Sequence, residues 1–113
     1  MLANLLRFLF TVPLDRLRLR RAQALVNSGV ARRRRADFDG ALRDLEHAIA
    51  LDSGIQECWI ELGNLLLARG ESRRAADCYG RALALAPGSP VARFNLGLAL
   101  REAGDIHEAI AQL

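Results

Sequence analysis

Lysine is absent: every one of the sixteen basic residues is arginine. No lysine Schiff base and no Walker-type phosphate lysine can operate in this chain. The bias itself matches GC-rich codon usage, as in many bacterial genes. Aromatic residues make up only 5%, too few for a base-stacking surface, and no nucleic-acid fold signature accompanies the arginines. There are two cysteines, Cys58 and Cys78, and no CxxC pair. That excludes a disulfide framework and a structural zinc site, and leaves two packed thiols in a reducing compartment. Chemistry-bearing motifs are missing too. No G-x-G-x-x-G cluster occurs, no GxSxG elbow surrounds Ser28, and His47 and His107 stand far apart. The carboxylates spread along the chain rather than pairing for acid–base work. No enzyme, cofactor or metal is expected.

What is present points to helices. The chain has 113 residues, 51% hydrophobic and 26% charged, which suits one modest domain. Leucine (21) and alanine (19) dominate, and both are strong helix formers. Charge is polarised: residues 1–35 hold nine arginines and one acid (+8), residues 36–113 seven arginines and twelve acids (−5). The run Arg32-Arg33-Arg34-Arg35 is the sharpest basic feature. It reads either as a solvated helix end that suits the macrodipole or as a contact for an anionic partner.

A repeat organises the rest. Gly29, Gly63 and Gly97 recur every 34 residues, as do Ala41, Ala75 and Ala109, the acids Asp37, Glu71 and Asp105, and the series Leu45, Tyr79, Leu113. Ala48 and Ala82, Leu62 and Leu96, and Gly70 and Gly104 each repeat once. In the middle unit, apolar spacing predicts one helix over about Gln56–Arg69, with Trp59, Leu62 and Leu66 on one face, and another over about Arg73–Leu85. Gly63 inside the first helix implies a close helix neighbour, with Ala75 and Ala82 the small residues expected opposite. Arg69-Gly70-Glu71-Ser72 reads as a turn and cap. Asp37 and Asp105 hold the equivalent place, where a carboxylate suits free N–H groups. Ala86-Pro87-Gly88-Ser89-Pro90 turns into the next unit.

The middle unit, Trp59-x2-Leu62-Gly63-x2-Leu66, then Ala75-x3-Tyr79, Ala82 and Pro87, resembles the tetratricopeptide repeat. Only Leu66 departs from type, where tyrosine is usual. Residues 22–55 match through Leu25, Gly29, Ala41, Leu45 and Ala48, with Ser28, Arg32 and Ser53 as departures that suggest a partly capping, wetter repeat. Residues 90–113 keep Leu96, Gly97, Leu100, Ala109 and Leu113, with Arg93 for the tryptophan, and stop inside the unit. The resemblance implies an all-α, right-handed superhelical solenoid of antiparallel helix hairpins over 22–113, about 2.7 repeats divided as 22–55, 56–89 and an incomplete 90–113. The abrupt end suggests a fragment of a longer array, or an end that pairs with another copy.

In this family the first helix of each unit lines a concave binding face. Carried over, the first unit offers Gln23, Val26, Val30, Arg33 and Arg34. The middle unit offers Glu57, Ile60, Asn64, Leu67 and Ala68, and the third Val91, Phe94, Leu98, Arg101 and Glu102. Such a groove is apolar along its centre with arginines at one rim. It suits a protein or peptide partner with aliphatic or aromatic anchors and acidic flanks. Part of this apolar surface equally suits packing against a neighbouring helix. Family members that grip a C-terminal carboxylate use a lysine where this chain has Ile60, so no such clamp is expected, although Asn64 and Asn95 occupy the two asparagine places. The resemblance implies a protein-interaction scaffold. The alternative is the docking array of a larger bacterial enzyme, glycosyl- or sulfotransferase-like.

Residues 1–21 fall outside the repeats. Leu2, Leu5, Leu6, Leu9 and Phe10 share one helical face and Asn4, Arg7 and Thr11 the other, and Pro13 is expected to break the helix. The stretch is far short of the roughly 20 residues that cross a bilayer, and it lacks a signal peptide's basic start and cleavage site. Three readings stand: a helix packed on the first repeat, an interfacial anchor backed by Arg16, Arg18, Arg20 and Arg21, or a frayed terminus. The expected location is cytoplasmic, with peripheral membrane contact or self-association through the open end as variants.

Overall fold

The computed structural model describes residues 2–112; the side chains of 5–13 and 106 lie outside the described set, as does Leu113 of the Leu45–Tyr79 series. Among the described residues there are six helices and no strand: α1 (Leu2–Arg34), α2 (Phe38–Leu51), α3 (Gln56–Ala68), α4 (Ser72–Leu85), α5 (Pro90–Glu102) and α6 (Ile106–Gln112). They pair as hairpins α1–α2, α3–α4 and α5–α6, and successive hairpins stack, α2 on α3 and α4 on α5. The particle measures 61 × 31 × 17 Å.

The turn inside each hairpin has one construction. Asp37, Glu71 and Asp105 donate their backbone N–H to Arg32, Leu66 and Leu100 carbonyls at 2.8, 2.9 and 2.8 Å. The residue before each donates to the carbonyl three back: Ala36 to Arg33, Gly70 to Leu67, Gly104 to Arg101. This double closure is a Schellman motif, which places the residue after the cap in the left-handed region. Gly70 (φ 81°) and Gly104 (φ 89°) meet that demand without steric cost; Ala36 (φ 63°) meets it with a β-carbon. Of the three acids that follow, only Asp37 has a side-chain capping bond among the described residues, accepting from the Gly40 N–H at 3.0 Å. Glu71 makes no cap and pairs instead with Arg74 and Arg69, while Asp105 pairs with Arg73. The expected carboxylate cap therefore holds at Asp37, which also pairs with Arg32, and not at Glu71.

Between hairpins the chain turns on local hydrogen bonds. Gly54 N–H donates to the Asp52 carboxylate at 2.8 Å. Ser89 caps α5 by accepting from Ala92 N–H, with Pro90 at the first helical position, where its missing donor costs nothing.

The repeated small residues are the core. Ala41, Ala75 and Ala82 are fully buried and Ala109 nearly so, with Leu45, Tyr79, Leu65, Leu66 and Cys58 filling the space between helices. Tyr79, not Ala75 or Ala82, faces Gly63: a β-carbon there would meet the ring Cε1 at 2.7 Å. In the first unit Leu45 takes the same place against Gly29. The glycine column exists because the large residue of the second helix lies flat on the first.

Pro13 does not break the chain's first helix. α1 runs without interruption for 33 residues, about 50 Å at 1.5 Å per residue. A helix-interior proline removes one backbone hydrogen bond, yet the helix continues past it. Residues 2–21 thus continue the first helix of the first repeat instead of folding back onto it. Leu2, Leu14, Leu17 and Leu19 are exposed along this extension.

Candidate binding groove

The first helices of the three units, α1, α3 and α5, are joined side to side by polar contacts. Gln23 donates to Glu57 at 3.3 Å, Arg33 pairs with Glu61 at 3.1 Å, and Asn95 donates to the Asn64 carboxamide oxygen at 3.4 Å. These contacts hold the face built from residues carried over from the repeat pattern.

Along that face Val30, Ile60, Asn64, Leu67 and Leu98 are half-buried, and Arg34, Phe94 and Arg101 are exposed. Phe94, at 55% exposure, is the largest open apolar group. Two expected members behave differently. Val26 is fully buried and belongs to the core cluster. Arg33 is committed to Glu61, so among the described residues the rim cations without an ion pair are Arg34 and Arg101. Gln23 is likewise engaged, while Glu57, Ala68, Val91 and Glu102 lie exposed.

Asn64 is the most tightly positioned polar group of the face. Its carboxamide oxygen accepts from the Tyr79 hydroxyl at 2.5 Å as well as from Asn95, which turns the amide nitrogen to the other side. Burial pushes the Tyr79 phenol well above its ordinary range, so it stays a neutral donor. The sequence reading missed this support from Tyr79. The signal was available, since the same tyrosine fills the space over Gly63, one residue before Asn64.

The first unit is wetter, as its departures from type suggest. Ser28 donates to Asp44 at 2.6 Å, and Arg32 bridges Asp44 at 2.9 Å and Asp37 at 2.8 Å. Arg32 holds the Asp37 carboxyl below the ordinary aspartate range, helped by the Gly40 N–H. The thiols are inert by the same logic: burial pushes Cys58 up to about 12 and Cys78 up to about 11. Cys58 also donates to the Leu45 carbonyl. Among the described residues no group of three or more His, Cys, Asp or Glu could hold a metal ion. His47 and His107 are both exposed.

Hairpins repeated at a fixed register and stacked in one direction define an α-solenoid repeat protein. Residues 60–113 match the family model described as tetratricopeptide repeat. Over those residues the chain is similar to that family, and its stacked helix hairpins have a tetratricopeptide-like architecture.

Among solved structures it is similar to two crystal structures of MamA, both 27% identical, with TM-scores of 0.78 and 0.77 over 80% of this chain. The chain spans about half the length of those proteins, 50% and 53%. It shares its fold with the second TPR of Spaghetti (RPAP3) bound to HSP90 peptide SRMEEVD: 16% identity, TM-score 0.83, 88% of this chain and 92% of that one. The Arabidopsis OM64 TPR domain is similar in fold as well, at 16% identity and TM-score 0.79, covering 84% and 78%. No curated protein matches the chain in sequence.

Proposed function

We propose that this chain is a non-enzymatic docking module that binds a segment of a partner protein across the face of α1, α3 and α5. The observation that carries the reading is Asn64. Its oxygen is fixed by Tyr79 and Asn95, and half-open Ile60 and Leu67 lie on the same helix face around it. A pre-positioned amide flanked by apolar surface suits a peptide: the amide bonds a backbone carbonyl and the apolar groups receive side chains. Phe94 and Leu98 extend the apolar strip onto α5, and Arg34 and Arg101 supply positive charge at the end of each helix. The preferred segment has aliphatic or aromatic anchors and acidic flanks. The peptide-bound RPAP3 domain supports the reading by showing that this fold accommodates one.

The test is selection from a displayed peptide library. Enriched sequences carry apolar anchors beside acidic residues, and binding of the best peptide falls by about tenfold or more in Phe94→Ala and in Leu67→Glu, as expected for truncated or charged central contacts. Enrichment that survives Leu67→Glu unchanged would place the binding surface elsewhere.

A further inference from the structure

The N-terminal part of α1 serves no repeat. Residues 22–34 form the first helix of the solenoid, while the same helix continues back to Leu2 with exposed leucines at 2, 14, 17 and 19. Its sequence divides in two. Ten of residues 1–14 are apolar, and residues 15–21, Asp-Arg-Leu-Arg-Leu-Arg-Arg, hold four arginines and one acid. Asn4, Arg7 and Thr11 recur at helical spacing in the sequence of the apolar section. Arg16, Arg18, Arg20 and Arg21 are exposed, and none is ion-paired among the described residues.

We infer that this extension is an interfacial anchor for an anionic lipid surface. From Leu2 to Leu14 the apolar section is about 20 Å long at 1.5 Å per residue, too short for a hydrocarbon core of about 30 Å, so it lies in the interface of one leaflet and does not span. No described helix is long and apolar enough to cross a membrane. The arginine collar follows directly and sits at headgroup depth, where anionic phosphates neutralise it. Charge selects this occupant over a second copy of the chain. Residues 1–21 carry five arginines and one aspartate, so pairing two copies along this helix brings two like-charged collars together. The helix continues into the first repeat, so the anchor is joined directly to the array. This inference is independent of the groove.

The test is flotation of the full chain with vesicles of phosphatidylcholine alone or mixed with phosphatidylglycerol. The chain floats with the mixed vesicles and not with phosphatidylcholine alone, and high salt weakens the association. Two variants separate the two halves: Leu2→Glu/Leu6→Glu/Leu9→Glu, and Arg16→Glu/Arg18→Glu/Arg20→Glu, each reducing binding by at least about tenfold. Both leave the solenoid intact, read as unchanged cooperative unfolding. Failure of the wild-type chain to float with mixed vesicles overturns the inference, as does equal flotation with neutral vesicles or by the arginine variant. Concentration-dependent dimerisation that the leucine variant abolishes, without vesicle binding, assigns the extension to a second copy. Saturable binding to an acidic polypeptide, again without vesicle binding, assigns it to a protein.

Discussion

The Tyr79 ring lies flat on Gly63 and its hydroxyl reaches past that glycine to the Asn64 oxygen at 2.5 Å. One side chain thus sets both the spacing of α3 against α4 and the orientation of a groove amide. Gly63→Ala adds a β-carbon 2.7 Å from Cε1 of a ring that is fully buried and has nowhere to retreat. Overpacking costs about 1–3 kcal/mol and the gain in helix propensity is about 1 kcal/mol, so the expected net is a loss of up to about 2 kcal/mol. Gly80→Ala, on α4, meets nothing within 4 Å. It borders an open cavity of about 520 Å3 between α4 and the α5–α6 hairpin. Only the propensity term remains, a gain of about 0.5–1 kcal/mol. Urea denaturation of the two variants should shift in opposite directions.

Ala36 occupies the left-handed position that Gly70 and Gly104 fill in the other hairpins. Relief of the β-carbon clash is worth about 1–2 kcal/mol, and the added freedom of the unfolded chain costs about 0.4–1 kcal/mol. Ala36→Gly should therefore stabilise by up to about 1.6 kcal/mol, the largest difference those ranges allow. The reverse change, Gly70→Ala, should destabilise although it buries nothing, since no atom lies within 4 Å of its β-carbon position. Thermal midpoints of the pair decide whether the backbone alone is responsible.

These positions show where the sequence was readable. Period-34 columns located every hairpin because a buried small residue, such as Ala41 or Ala75, tolerates no substitute of larger volume. Position in the repeat did not reveal which groove members were already engaged. Val26 is buried in the core, and Arg33 is claimed by Glu61 twenty-eight residues away, a contact between units that a pattern read within one does not show. Ala36 escaped notice for a related reason, since the left-handed position is marked by glycine only in the later hairpins. At Pro13 the local rule for proline failed, since the helix runs through it from Leu2 to Arg34.

The first unit places Ser28, Arg32 and Asp44 in the columns that hold Leu62, Leu66 and Cys78 in the middle unit. The polar trio is mutually bonded, so it behaves as one substitution. Arg32→Leu alone leaves Asp44 and Asp37 without their cation and lowers stability. Ser28→Leu/Arg32→Leu/Asp44→Cys recovers more than the sum of the single changes, a coupling that a mutant cycle reads directly. Acid titration gives a second measurement. Asp37 has a depressed folded pKa, chiefly through its bond from Arg32, so its contribution is present above the ordinary aspartate range and fades as pH falls through the folded value. Removing Arg32 should flatten the loss of stability on the acid side. An unchanged acid limb would show that the pair contributes nothing in solution.

Ile60 stands at the lysine place of family members that hold a terminal carboxylate, and it is half-buried with an apolar side chain. The neighbouring carboxamide of Asn64 remains available, but no cation accompanies it on α3 at that point. A peptide such as SRMEEVD, the ligand of the RPAP3 domain, should therefore bind no more tightly with a free C-terminal carboxylate than with an amidated end. Ile60→Lys should introduce that preference, raising affinity for the free acid by about tenfold, the worth of one charge-assisted hydrogen bond of roughly 1.5 kcal/mol. Fluorescence anisotropy with paired peptides measures both. Tight binding of the free acid by the unaltered chain, abolished by Asn64→Ala, would mean that Asn64 and Asn95 suffice as a clamp and that the apolar strip is not what selects the partner.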